Sequence, residues 1–119
     1  MSKTVGFEKV SNLGVVTINN PPVNAINQQV RLGLEEVFSK EQPEVSAIVL
    51  CCTGKTFCSG ADIKEFDNPI EDPSYQHVFK LIENYKIPVI AVMHGTVLGA
   101  GLELALACHY RCALDDTRL

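Results

Sequence analysis

Apolar residues along this chain follow two different periods. Leu13-Gly-Val-Val-Thr-Ile-Asn19 is rich in β-branched residues and reads as a strand, closed by Asn20-Pro21-Pro22, which cannot continue a sheet ladder. From Asn27 the period changes: Val30, Leu34, Val37 and Phe38 recur at three- and four-residue steps, with Arg31, Glu35 and Glu36 on the other side. That spacing predicts an amphipathic helix capped by Asn27 and running to about Lys40, ended by the polar break Glu41-Gln-Pro-Glu44. Ala47-Ile-Val-Leu-Cys-Cys52 is continuously apolar, the pattern of a strand buried on both faces, and Thr53-Gly-Lys55 turns the chain. Residues 67–74, with Pro69, Pro73 and three acids, read as a surface loop. Ser74 can cap a second helix to about Tyr85, with Val78, Leu81, Ile82 and Tyr85 on one face. Pro88 opens a third apolar strand, Val89-Ile-Ala-Val-Met93. A glycine-rich turn from Gly95 to Gly101 leads into a helix over residues 102–109, and residues 110–114 read as a fourth, buried strand.

Strands alternating with helices define an α/β fold, and the connections imply a parallel sheet with right-handed crossovers. A length of 119 residues suits one small domain, and no repeat, low-complexity segment or linker divides it. One feature is odd for a finished domain: Thr117-Arg-Leu119 follows a buried-looking strand directly, with no helix to cover it, so the chain reads as part of a larger unit.

Ten Lys+Arg against fourteen Asp+Glu give a net charge of -4, which argues against nucleic acid or an anionic membrane as the main partner. At 46% hydrophobic and 20% charged residues, the composition argues against disorder. The longest apolar run, around residues 87–93, is interrupted by Pro88 and stops at His94, short of the ~20 residues needed to span a bilayer. Residues 5–16 are too mixed for the apolar segment of a secretion signal. The five cysteines are odd in number, irregularly spaced and without a CxxC pair. Cys51 and Cys52 point to opposite faces of their strand, and Cys108 and Cys112 have no partner motif for zinc. Free thiols in a reducing, intracellular compartment are the expectation.

Two loops carry candidate chemistry. In Phe57-Cys-Ser-Gly-Ala-Asp-Ile-Lys64, the small residues Ser59, Gly60 and Ala61 let a ligand approach the backbone, and Asp62 can cap a short helix whose free N–H groups bind anions. The alternative is a tight strand-to-helix turn. In His94-Gly-Thr-Val-Leu-Gly-Ala-Gly-Leu-Glu103, three small residues again precede a helix. Neither loop is a dinucleotide fingerprint or a Walker loop: G-x-G-x-x-G is absent, and no glycine stands five residues before Gly54. Glu103 lies amid Leu102, Leu104, Ala105, Leu106 and Ala107. A helix apolar on nearly all sides is buried, and burial would raise the pKa of this carboxyl toward values useful to a general acid or base. An exposed stripe, or an ion pair with Arg111, is the alternative. Two donor-bearing turns, each following an apolar strand, can converge on one carbonyl oxygen as an oxyanion hole, with the carboxylate beside the reacting carbon. His94 and His109 lack spacing to a second metal ligand, and His77 falls on a polar, solvated helix face.

At these residues the sequence resembles the N-terminal half of the crotonase (enoyl-CoA hydratase/isomerase) family, from about Val16 to Leu114. The segments that carry the likeness are Asn20-Pro-Pro-Val-Asn-Ala25, Phe57-Cys-Ser-Gly-Ala-Asp-Ile-Lys64, and Ile87-Pro-Val-Ile-Ala-Val-Met-His-Gly95 leading into Gly99-Ala-Gly-Leu-Glu-Leu-Ala-Leu-Ala-Cys-His-Tyr-Arg111. Their wording is especially similar to the hydratase/isomerase part of peroxisomal-type bifunctional members. The resemblance implies a spiral of ββα turns, incomplete here, over residues 1–119. It implies backbone N–H donors at Ala61 and Ala100 for the thioester oxygen, and Glu103 as the first catalytic glutamate, which handles the water added to the double bond. Ser59, Ala61 and Ile63 would line the CoA pocket through their backbones, with Lys64 near the CoA phosphates. Where the family usually has glycine, this chain has Ala100, acceptable if the backbone there is unstrained.

The implied activity is hydration of 2-trans-enoyl-CoA to 3-hydroxyacyl-CoA in β-oxidation, with 3-enoyl-CoA isomerisation beside it. Glu103 favours hydratase or bifunctional members, because dedicated isomerases often lack an acid there. The family's second catalytic glutamate, in a Gly-x-Pro-Glu segment, would fall just past Leu119, so little or no activity is expected of this chain alone. Acyl-CoA is the implied substrate and no cofactor or metal is implied; NAD would belong only to a fused dehydrogenase part. The competing reading is a non-catalytic product that binds acyl-CoA or associates with full-length subunits or a C-terminal half. The expected compartment is the peroxisome, with cytoplasm and mitochondrion as alternatives.

Overall fold

The computed structural model describes residues 4–119. Its backbone is a five-stranded sheet whose spatial order is the chain order: β1 (Val5–Val10), β2 (Leu13–Ile18), β3 (Ala47–Cys52), β4 (Val89–Met93) and β5 (Tyr110–Ala113). Three helices connect these strands: α1 (Gln28–Phe38), α2 (Tyr75–Glu83) and α3 (Ala100–Ala107). The α/β class and each of the four predicted strands are present. The sheet is mixed rather than parallel throughout, because β1 pairs antiparallel with β2 through a tight turn at Ser11 and Asn12, while β2, β3, β4 and β5 pair parallel.

Each turn of the chain has the form strand, short bridge, helix. After β2, Ile26 bridges to Ala61; after β3, Cys58 bridges to Val97; after β4, Thr96 bridges to Arg118. These parallel single-residue contacts stand in for the second strand of each ββα unit. They make a small second ladder beside the main sheet, and α1 and α3 start just beyond it.

The strands are buried on one face. In register across the sheet, Val16, Leu50 and Ala91 form a row, as do Ile18 with Cys52 and Ile48 with Val89, and all of these are buried. Val15, Val49 and Ile90, on the opposite face, are only half-buried. The expectation that β3 is buried on both faces is therefore corrected: a single layer of helices covers it among the described residues. Val30, Leu34, Val37 and Phe38 of α1, Val78 and Ile82 of α2, and Leu104 and Ala105 of α3 join the buried face in one core. β5 is likewise corrected, since all four of its residues are exposed.

The helix starts are built as their sequences indicate. The Asn27 side chain accepts from the Val30 N–H at 3.0 Å, and the Ser74 Oγ from the His77 N–H at 3.1 Å, each satisfying one orphan donor. Arg31 departs from the predicted polar face of α1 and is fully buried beneath the loop over residues 65–75. No helix is long and apolar enough to cross a membrane among the described residues.

Candidate active site

The two loops that follow β3 and β4 are zipped together. The Phe57 N–H donates to His94 O at 3.1 Å, the Cys58 N–H to Thr96 O at 3.2 Å, and the Leu98 N–H to Cys58 O at 3.1 Å. The approach is so close that a Cβ on Gly101 would stand 2.4 Å from Cys58 O. Gly60, at φ +122°, faces the N-terminus of α3, with its Cβ direction 3.6 Å from the Ala100 nitrogen. The turn carrying Ala61 and the helix start carrying Ala100 are thus neighbours, as the glycine pattern leads one to expect.

Neither the Ala61 nor the Ala100 N–H makes a hydrogen bond among the described residues. Ala100 is the first residue of α3, where N–H groups have no intrahelical acceptor. The left-handed backbone falls one residue earlier, on Gly99 at φ +50°, and Ala100 is not among the positive-φ residues. Alanine therefore stands at that position without backbone strain. Ala61, Ala100 and Glu103 border one pocket of about 430 Å³, whose other walls include Ile70, Tyr75 and Phe79. A larger hollow of about 570 Å³ lies between the ends of α1 and α2. It touches none of the predicted site residues, so its size does not make it the site.

Glu103 is exposed, which overturns the expectation of a buried carboxyl. α3 buries Gly101, Leu104, Ala105 and Ala107, and turns Glu103 and the 58%-exposed Leu106 outward. The outer face of the helix thus carries an exposed leucine as well as the carboxylate. Arg111 is not its partner either, since the guanidinium donates to Ala105 O and Cys108 O at the end of α3.

Of the remaining predicted residues, Asp62 acts as a cap: its Oδ1 accepts from the Lys64 N–H at 3.0 Å and starts a 3-10 turn over Ile63–Glu65. Ile63, at 75% exposure, and Lys64 project into solvent, and Ser59 is half-buried; none of the three lines the pocket. His94 holds a ring nitrogen 2.7 Å from Gly54 O. The Val89 N–H donates to Nδ1 of His109, so the other ring nitrogen carries the proton and donates to Glu83 O at 2.9 Å. His77 is not simply solvated but lies 3.0 Å from a Glu35 carboxylate oxygen. Among the described residues, no three His, Cys, Asp or Glu side chains stand together as a metal site.

Sequence reasoning missed the residue that ties the loop after β2 to the loop after β3. Asn24 is buried at φ +54°; its side chain accepts from the Asn20 N–H and donates to Thr53 O and Thr56 O, each at 2.8 Å. Asn tolerates left-handed backbone and supplies both donor and acceptor, which was the available signal. Beside it, the Cys58 thiol donates to Asn24 O at 3.0 Å, and burial pushes its pKa up to about 11.

A mixed sheet with a second ladder of bridges, and two small-residue loops meeting after β3 and β4, define an α/β architecture that comparison with known proteins places in a family. The profile of the enoyl-CoA hydratase/isomerase family matches residues 8–119, and the chain belongs to that family. It is 40% identical over 110 residues to the peroxisomal bifunctional enzyme of Danio rerio, covering 91% of this chain and 15% of that protein. It is 35% identical to the crotonyl-CoA hydratase of Syntrophomonas wolfei, covering 94% of this chain and 47% of that one. Among solved structures, DspI of Pseudomonas aeruginosa superposes with a TM-score of 0.87 at 27% identity, covering 97% of this chain and 51% of that one. The chain thus spans about half the length of the hydratase, and a smaller share of the bifunctional enzyme.

Proposed function

We propose that this chain carries the first half of an enoyl-CoA hydratase site, with isomerisation of 3-enoyl-CoA as a side activity. The observation that carries the reading is the meeting of Ala61, Ala100 and Glu103 at one pocket, with both backbone N–H groups unengaged. The two donors receive the thioester oxygen, and their hydrogen bonds strengthen as negative charge builds on it. Water adds its oxygen to C3 of the 2-enoyl group and a proton goes to C2, and Glu103 orients or deprotonates that water. Ser59, Ala61 and Ile63 offer backbone groups to CoA, with Lys64 toward its phosphates. The names of the relatives support the substrate class and a peroxisomal location, and water and acyl-CoA are the only reactants.

A family member of this type uses two carboxylates, and the resemblance assigns the second to residues beyond Leu119. The 119-residue chain should therefore bind a short 2-enoyl-CoA yet hydrate it at little or no rate. Amide chemical-shift mapping checks the first part: the Ala61 and Ala100 amides should be among the most perturbed. Clear turnover by this chain, followed by loss of the enone absorbance, would overturn the two-carboxylate requirement. In a longer chain that hydrates, Glu103→Gln should lower the rate by about 10²-fold or more.

A further inference from the structure

The side chain of Arg31 in α1 is wholly buried, and all three of its guanidinium nitrogens donate hydrogen bonds, four in all. Nε donates to Pro73 O at 2.7 Å; Nη1 donates to Ile26 O at 3.1 Å and to a Glu65 carboxylate oxygen at 2.8 Å; Nη2 donates to Glu71 O at 3.1 Å. The ring of Tyr75 lies 4.6 Å from the guanidinium carbon. The second Glu65 oxygen accepts from the Gln28 N–H at 2.9 Å, and the Tyr75 hydroxyl donates to Ile26 O at 2.6 Å. Ile26 in turn donates its N–H to Gly60 O at 2.8 Å, one residue before Ala61.

We infer that Arg31 is a positioning residue for the acyl pocket, fixing the wall that carries Ile70 and Tyr75 against the Ala61 donor. This rests on the site reading given above. The segments that Arg31 joins are the ones that border the pocket. The peptide of Ile26 is held on one side by Gly60 and on the other by Arg31 and Tyr75, so the orientation of the Ala61 peptide is coupled to the wall. The loop over residues 67–72 is exposed, and Arg31 donates to the carbonyls of Glu71 and, just beyond it, Pro73. A buried cation is tolerated only while its hydrogen bonds are complete, so the loop has one favoured seat. Lysine keeps the charge but gathers its donors on one nitrogen in place of the fork, and cannot hold all of these oxygens together.

The test is calorimetric titration of the 119-residue chain with a medium-chain 2-enoyl-CoA and, separately, with free CoA, for the native protein, Arg31→Lys and Tyr75→Phe. Tyr75→Phe keeps the ring on Arg31 and removes only the bond to Ile26 O, so it carries the test if Arg31→Lys does not fold. Both variants should bind the enoyl-CoA roughly five- to ten-fold more weakly, the loss of one or two hydrogen bonds, and bind free CoA within about twofold of the native chain. Unchanged enoyl-CoA affinity in both folded variants overturns the inference, and so does an equal loss for the two ligands, which marks a purely structural role. A native chain that binds free CoA and enoyl-CoA alike, or neither, defeats the site reading instead and takes the inference with it.

Discussion

Gly54 and Gly95 have similar backbones and opposite surroundings. Gly54, at φ +79°, has nothing within 4 Å of where a Cβ would stand, whereas at Gly95, φ +59°, a Cβ would fall 1.9 Å from Lys55 O. Gly54→Ala should cost about 1–2 kcal/mol, the price of left-handed alanine alone. Gly95→Ala adds a clash between two backbones and should cost roughly 3 kcal/mol or more, with the β3 and β4 loops forced apart. Urea unfolding of both variants checks the difference, and equal losses would contradict it. The buried thiols set a limit of another kind. Burial raises Cys58 to about 11 and Cys108 to about 12, from an ordinary 9.0. Above pH 9 the unfolded chain then releases these protons first, so the folded state holds more of them and stability falls as pH rises. The contribution is complete below the ordinary value and drains away toward the folded ones, at up to about 1.4 kcal/mol per unit for each thiol. The urea midpoint should be lower at about pH 10 than at about pH 8, and an equal midpoint would count against these thiols being buried and neutral.

At the scale of elements, the strands and helices that bury a regular stripe are legible in the sequence, and those that depend on neighbours are not. β3 and β4 follow the apolar runs residue for residue, and α1 and α2 begin at their capping residues, Asn27 and Ser74. β1 is harder to read, because only Val5 of its six residues is buried and Gly6, Glu8 and Lys9 dilute its pattern. Arg31 groups with Glu35 and Glu36 in the helical pattern of α1 but is drawn inward by carbonyl oxygens from a segment some forty positions away, which no local period encodes. The opposite error affects α3 and β5, whose apolar composition suggests burial while the structure exposes Leu106 and all of β5. In the candidate site, the small-residue pattern points to the two loops, and the apolar surroundings in sequence single out Glu103. What it does not reveal is Asn24, or the far wall of the pocket, since Ile70 and Tyr75 arrive through the loop that Arg31 holds.

For the whole molecule, the exposed residues of α3 and β5 belong to one end. Leu106 is 58% exposed, Tyr110 63% and Leu114 57%, and β5 offers an unpaired sheet edge beside them. An apolar surface next to a free edge favours association. The isolated chain should show concentration-dependent self-association in sedimentation, and Leu106→Glu with Leu114→Lys should shift it toward monomer. A chain that stays monomeric at high concentration would show that this end needs no cover. The order of the sheet has a temporal side as well. Because strands lie side by side in the order they are made, each one that leaves the ribosome finds its partner already delivered, and none waits for a later segment to be inserted between existing neighbours. The sheet can grow like knitting, one row at a time, with β1 as the fixed edge and the newest row as the growing one. Synthesis and assembly can thus run in the same direction, with β5 the last of the five rows to be laid down.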